Sequence, residues 1–345
     1  MESSPNASLP DSRLDAEPGS RLDAEPGSRL DTEQLADMAE RVRDEIGRIL
    51  VGQTEMVDLF LTALLADGHV LIEGVPGVAK TLTARLVART LSVDFTRIQF
   101  TPDLMPSDVL GTSVFNPKST EFTFRHGPVF SNVVLIDEIN RAPAKTQAAL
   151  FEVMEERQVS ADGATYALPP PFVVFATQNP LEHEGTYRLP EAQLDRFLFK
   201  INVGYPSLED EVDILAGHHA GRTADAIDAV QPVLNAETLA DLRALVRDVH
   251  VEPDLMRYMA RITHATREHR MLSLGASPRA SVAMLNTSKA HAALRGRDFV
   301  SPDDVQAIAA PVLRHRLMLT PEQEMEGRTT DAAIRRVLAD VDVPR

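Results

Sequence analysis

Residues 74–81 read Gly74-Val75-Pro76-Gly77-Val78-Ala79-Lys80-Thr81, with Leu82 next. They follow a short apolar run, His69 to Ile72, and lead into a stretch of helical spacing, Thr81 to Leu91. A loop so placed aims successive backbone N–H groups and the positive end of a helix at one spot, which suits a phosphate. Glycines let the backbone turn tightly around phosphate oxygens. Lys80 is long enough to reach the β and γ phosphates of a nucleotide, and the Thr81 hydroxyl is a hard ligand for Mg²⁺. The pattern G-x-x-x-x-G-K-[ST] is met except at Ala79, which stands where a glycine is usual. A methyl group is the smallest addition, so helical dihedrals that tolerate alanine are expected there. The expected ligands are a nucleoside triphosphate, ATP, and Mg²⁺.

A second pattern supplies acids. Val133-Val134-Leu135-Ile136 is an apolar strand ending in Asp137-Glu138. Ligands of open α/β sheets sit at the carboxyl ends of strands, so this pair is expected beside the phosphate loop. There Asp137 would hold Mg²⁺ and Glu138 would polarise an attacking water, a cation relieving the repulsion between them. Taken alone, the two acids would equally serve as caps on a following helix. Asn179, in Gln178-Asn179-Pro180, closes another strand and can orient water or the γ phosphate; Asn-Pro is also a turn signal. Arg196, in Leu194-Asp195-Arg196-Phe197, suits a finger reaching a neighbouring chain's phosphate, because its planar, permanently charged fork matches phosphate oxygens. The competing reading is a pair with Asp195 or Glu191. Arg279, in Ser277-Pro278-Arg279, is the other arginine suited to phosphate, and Arg141 serves either a neighbour or the local fold.

These residues need a scaffold. Buried-strand patterns at His69–Ile72, Phe95–Phe100, Val133–Ile136 and Phe172–Ala176 are separated by helical or loop material, which predicts an α/β, three-layer unit with a mostly parallel sheet. After Pro206 the strands are expected to stop, leaving amphipathic helices over Leu208–Leu215, Ala236–Val246, Pro253–Thr266, Pro278–Leu294 and Pro302–Leu313. The expected division is a tail at 1–31, a core at 32–205 and a helical lid at 206–345. The tail repeats Ser-Arg-Leu-Asp-Ala-Glu-Pro-Gly from Ser12 and again from Ser20, with one leucine per unit, too little to build a core. Disorder is expected there.

Charge and composition narrow the partners. A formal net charge of -16 argues against nucleic acid as the main partner, since neutralising phosphates needs a surplus of Lys and Arg. With no cysteine, disulfides, thiolate metal sites and thiol nucleophiles are excluded, and a reducing cytoplasm is the expected location. No apolar run approaches the roughly 20 residues of a membrane span.

Together, Gly74 to Thr81, Val133 to Arg141, Gln178-Asn179-Pro180, Leu189 to Phe197 and Gly275 to Ala280 resemble the MoxR family of AAA+ ATPases. The resemblance spans about Thr32 to Thr320. It implies an AAA+ core with a helical lid, a Walker A motif at Lys80 and Thr81, and a Walker B motif at Asp137 and Glu138. It further implies sensor 1 at Asn179, an arginine finger at Arg196 and sensor 2 at Arg279, serving either its own subunit or a neighbour. It also implies a ring homo-oligomer, a hexamer, that remodels or matures client proteins, with a von Willebrand factor A domain partner. Alternatives are a nucleic-acid-dependent motor and a nucleotide-switched scaffold without turnover. Two hairpin insertions are expected, Gly111–Phe130 with Phe115, Phe122 and Phe124, and Gln158–Pro170 turning at Asp162-Gly163. Exposed, their aromatics face a pore or client; buried, they are ordinary packing.

Overall fold

The computed structural model describes residues 30–75, 77–118, 120–179, 187, 189–219 and 224–344. Most of the expected disordered tail lies outside the described residues, as does Pro76. The chain opens with α1 (Thr32–Gly47), where Asp31 accepts from Gln34 N and Gln34 returns a bond to Asp31 N. This reciprocal cap satisfies two otherwise orphaned donors. Then follow α2 (Thr54–Leu65), β1 (Val70–Gly74), α3 (Lys80–Thr90), β2 (Phe95–Gln99), α4 (Pro106–Leu110), β3 (Gly111–Asn116) and β4 (Glu121–His126). Next come β5 (Val133–Asp137), α5 (Ala144–Glu156), β6 (Gln158–Ala161), β7 (Ala164–Ala167), β8 (Val173–Gln178), α6 (Glu191–Leu194) and β9 (Phe199–Val203).

Five strands form a parallel sheet in the order β2-β5-β8-β1-β9. Alternate residues of the central strands go to opposite faces, as a period of two requires. Ile72, Leu135 and Phe175 join the layer containing α1, α2 and α3, where Phe60 stacks on Phe175 with ring centroids 4.3 Å apart. Leu71, Ile136 and Ala176 face α5 through Leu150, Phe151 and Met154. Both faces are covered, which is why these strands read as unbroken apolar runs. Polar residues gather at the carboxyl ends, at Glu73, Asp137 and Thr177-Gln178, and the crossovers put all three ends on one edge of the sheet.

The helical remainder comprises α7 (Leu208–His219), α8 (Ala236–Asp248), α9 (Pro253–Glu268), β10 (Leu272–Leu274), α10 (Pro278–Ala293), α11 (Pro302–Leu313), β11 (Met318–Leu319), α12 (Pro321–Met325) and α13 (Thr330–Asp340). Two expectations need correction. Strands do not stop before Pro206, because β10 and β11 pair antiparallel; each is too short to show a two-residue period. The sheet also has a fifth strand, β9, on the edge beside β1.

Both hairpins form, β3 with β4 and β6 with β7. Their aromatics divide between the two readings. Phe124 stacks on Tyr166 with centroids 4.4 Å apart, and Ser113 Oγ donates to Asp162, so the hairpins are fastened to each other. Phe115 and Phe122 pair at 5.3 Å and are 47% and 74% exposed.

Two buried histidines lie where the core meets the later helices. His69 Nδ1 accepts from Val174 N and its Nε2 donates to Met154 O, each at 3.0 Å, which fixes the neutral form. Burial pushes its pKa down to about 4. His315 bonds Phe197 O through Nε2 while Nδ1 is buried without a partner; burial and then the Arg316 charge hold its pKa well below the usual value. An unfolded chain would protonate both near pH 6.5, whereas the folded chain does not. Their neutral burial is therefore fully compatible with folding above that pH, and stability is lost as pH falls from about 6.5 toward 4. The loss approaches about 1.4 kcal/mol per pH unit for each histidine. Urea unfolding across that interval should show the slope, and His69→Gln should flatten it; an unchanged slope would remove His69 from the account.

Candidate functional site

At the carboxyl edge of the sheet, Gly77, Val78, Ala79, Lys80, Thr81 and Leu82 border a cavity of about 390 Å³. Asp137, Glu138, Thr177 and Asn179 close its other side. Gly74 ends β1, and a Cβ there would lie 2.6 Å from Val203 O, so β9 can pair so closely only with glycine. Val75 packs against the apolar layer below. Gly77 has φ +87° and open space around its Cα, leaving the backbone accessible from the cavity.

Ala79 departs from expectation. Its φ of 58° and ψ of 19° are left-handed, not the right-handed helical dihedrals expected for an alanine at that position. The loop must reverse into α3 at this residue, the turn for which glycine is normally used. An alanine there carries roughly 1–2 kcal/mol of strain. Ala79→Gly should raise the melting temperature by roughly 1–3 °C, the strain relief being partly offset by the greater freedom of glycine in the unfolded chain. A calorimetric scan showing a lower melting temperature would contradict this.

Within the cavity, Lys80 Nζ donates to Gly74 O at 2.6 Å, folding the side chain back over its own loop. Thr81 Oγ1 faces Asp137 Oδ2 at 3.5 Å. Two adjacent ligands of an octahedral Mg²⁺ lie about 3 Å apart, so the hydroxyl and carboxylate suit that ion with little movement. Thr177 Oγ1 donates to Asp137 Oδ1 at 2.5 Å and accepts from Glu138 N at 3.0 Å, tying β8 to the acidic turn. Glu138 has a left-handed φ of 56°, a strained conformation for a residue with a side chain.

Three contributors were not anticipated. Arg97 contacts Asp137 Oδ2 through Nη2 at 2.6 Å and Nε at 3.0 Å, while Gln99 Nε2 donates to Glu138 Oε2 at 2.9 Å. Thr177 is the third. A signal for the first two existed: Arg97 and Gln99 flank Ile98 with the spacing of one strand face, on β2, where they fall in register beside Leu135 and Asp137. Arg141 Nε pairs with Glu138 Oε2 at 3.0 Å, a contact within its own acidic turn.

Arg196 and Arg279 do not border this cavity. They line another, of about 300 Å³, together with Asp67, His69, Glu155 and Asp195. Nor does Arg196 pair with Asp195 or Glu191, the acids nearest in sequence. Its Nη2 meets Glu155 Oε2 at 2.9 Å and its Nη1 donates to Phe151 O at 2.7 Å. Asp195 instead binds Arg316 at 2.7 Å.

Residues 69–199 match the ATPase family associated with various cellular activities (AAA), and residues 264–337 match the AAA lid domain. The chain is 47% identical over 312 residues to the uncharacterized protein YeaC of Bacillus subtilis, covering 90% of this chain and 97% of that one. It is also 47% identical over 315 residues to Chaperone MoxR1 of Mycobacterium tuberculosis, covering 89% and 82%. A crystal structure from Cytophaga hutchinsonii superimposes with a TM-score of 0.83 at 39% identity, over 91% of this chain and 97% of that chain.

Proposed function

Because the chain belongs to the MoxR family of AAA+ ATPases, we propose that it hydrolyses ATP with Mg²⁺ in a ring of identical subunits, a hexamer, to remodel or mature client proteins. The observation that carries this reading is the division of the machinery between two cavities. Lys80, Thr81, Asp137, Glu138 and Asn179 converge on one, whereas Arg196 and Arg279 line the other. A γ phosphate in the first cavity would thus lack arginine from its own chain's second cavity, and head-to-tail packing of subunits supplies it.

In this reading the backbone from Gly74 to Leu82 cradles the phosphates and Lys80 exchanges its bond to Gly74 O for phosphate oxygens. Thr81 and Asp137 would hold Mg²⁺, which would neutralise charge building on the phosphates. Arg97, which contacts Asp137 Oδ2 at 2.6 Å, would share that carboxylate with the cation. Glu138 accepts a proton from water as it attacks the γ phosphorus and the bond from that phosphorus to the β–γ bridging oxygen breaks, releasing ADP; Asn179 orients the water, and Gln99 and Arg141 keep the Glu138 carboxylate in place. Arg196 and Arg279 both serve the neighbour's γ phosphate. We take 32–205 as the ATPase core and 206–345 as the lid that moves against it.

Contact surfaces support assembly and a protein client. Leu208, Val212 and Leu215 lie on one face of α7 and are more than half exposed, the kind of apolar stripe that marks an interaction site. The exposed Phe115–Phe122 pair suits an apolar segment of a client, and the two fastened hairpins would move together. A von Willebrand factor A domain protein is the proposed adaptor. Among the described residues no helix is long and apolar enough to cross a membrane.

Shared sites make hydrolysis depend on assembly. Turnover per chain should rise steeply with protein concentration, in parallel with ring formation followed by analytical ultracentrifugation with ATP. Turnover per chain that stays constant on dilution to the monomer would refute the shared site.

A further inference from the structure

Glu155, the penultimate residue of α5, contacts both arginines of the second cavity, one with each carboxylate oxygen. Oε2 meets Arg196 Nη2 at 2.9 Å, and Oε1 meets Arg279 Nη2 at 2.8 Å. One arginine comes from the segment before β9 and the other from the first turn of α10. A single carboxylate therefore bridges the core to the lid.

The flanking residues repeat this union. Asp195, beside Arg196, accepts from Ser277 Oγ at 2.9 Å, and Ser277 is the N-cap of the helix that carries Arg279. Arg316 reaches across with Nε on Asp195 Oδ1 at 2.7 Å, and its Nη2 donates to Asp195 O at 3.2 Å and Phe197 O at 2.6 Å, fixing the backbone on both sides of Arg196. The Arg316 side chain that supplies these supports is buried, yet the Arg196 and Arg279 side chains are 32% and 56% exposed. Two cations held this near each other repel unless an anion lies between them. Glu155 is that anion, and each guanidinium keeps donors beyond those it occupies, because arginine has five in a fixed fork.

We propose that Glu155 is a positioning residue that holds Arg196 and Arg279 together as one phosphate-binding pair offered to the neighbouring subunit. The proposal rests on the shared-site reading above. Without the carboxylate the two arginines separate, the lid loses its tie to the core at this point, and the incoming phosphate meets a misplaced pair. A displacement of about 1 Å can lower a rate by roughly 100-fold.

The experiment mixes variants. Lys80→Ala disables a subunit's own nucleotide site but leaves its arginines intact, and Arg196→Ala does the reverse. In a random 1:1 mixture about one interface in four joins an intact site to intact arginines, so these two inactive variants should regain turnover on mixing. Glu155→Ala, and the nearly isosteric Glu155→Gln, should lower turnover by roughly 10- to 100-fold. Binding of a fluorescent ADP analogue and the melting temperature should stay near wild type. The decisive readout is complementation: Glu155→Ala should be rescued by Lys80→Ala and not by Arg196→Ala. Turnover at or above the wild-type rate in both Glu155 variants would overturn the proposal, as would rescue by Arg196→Ala. Weakened ADP-analogue binding without rescue by Lys80→Ala would do the same. Failure of the Lys80→Ala and Arg196→Ala control to complement would strike the shared site itself, and this proposal with it.

Discussion

Glu138→Gln should bind ATP as the wild type does and turn it over about 1,000-fold more slowly, within the range for losing a general base. The substitution is small in shape and large in chemistry. Glutamine retains one oxygen that can accept from Arg141 or Gln99, which contact Glu138 Oε2 at 3.0 and 2.9 Å, so the side chain has reason to stay where it is. It cannot take a proton from water at neutral pH. Thr177 holds the backbone N–H of Glu138, a bond that the substitution does not touch. Lys80, Thr81 and the glycine-rich loop are unaltered, so binding of a fluorescent ATP analogue should be unchanged. Steady-state phosphate release separates the outcomes. If wild type and variant hydrolysed ATP equally slowly in the assembled state, the chain would be a nucleotide-switched scaffold. If both were equally fast, Glu138 would not be the base.

The parts of this site legible in sequence are those where backbone geometry dictates residue type. The phosphate loop announces itself because few residues fit between a buried strand and a helix while leaving N–H groups bare. The acidic turn does so because unbroken apolar character ends abruptly at Asp137. Conformation was less legible than identity at Ala79: the residue was expected to tolerate its place in right-handed helical dihedrals, whereas the chain turns there with positive φ. The fifth strand was hidden for another reason. Phe199 to Val203 alternates apolar and polar residues, as an edge strand does, instead of forming the unbroken apolar run of the central strands, and its place is set by Gly74 admitting it beside β1. Glu155 carried no local sign. It lies 124 residues from Arg279, on an exposed helix end where a glutamate is ordinary, and becomes informative only once the lid brings the second arginine to it. Similarly, three phenylalanines of one hairpin look alike in sequence, yet Phe124 stacks on Tyr166 of the other hairpin while Phe115 and Phe122 pair with each other and stay exposed.

Arg196→Ala should abolish most turnover, by about 1,000-fold or more, while leaving nucleotide binding nearly intact. The two effects separate because the arginine lies in the second cavity and the nucleotide loop borders the first. An arginine acting on its own chain's ATP would change both. The cost to folding should be small: the Arg196–Glu155 pair is about one third exposed, and such pairs contribute roughly 0–1 kcal/mol. Loss of the part-buried bond to Phe151 O removes one donor from a carbonyl within α5, at a cost on the order of 1 kcal/mol. Arg196→Lys should recover little. A lysine ammonium cannot bind Glu155, the Phe151 carbonyl and a phosphate with the planar fork that the site is shaped around. Ring formation measured by sedimentation should persist in both variants, since Arg279 and Glu155 remain paired and the apolar face of α7 is untouched. Turnover within a few fold of wild type in assembled Arg196→Ala would mean that the second cavity has no part in hydrolysis, and that Arg196 and Arg279 serve only to fasten the lid to the core.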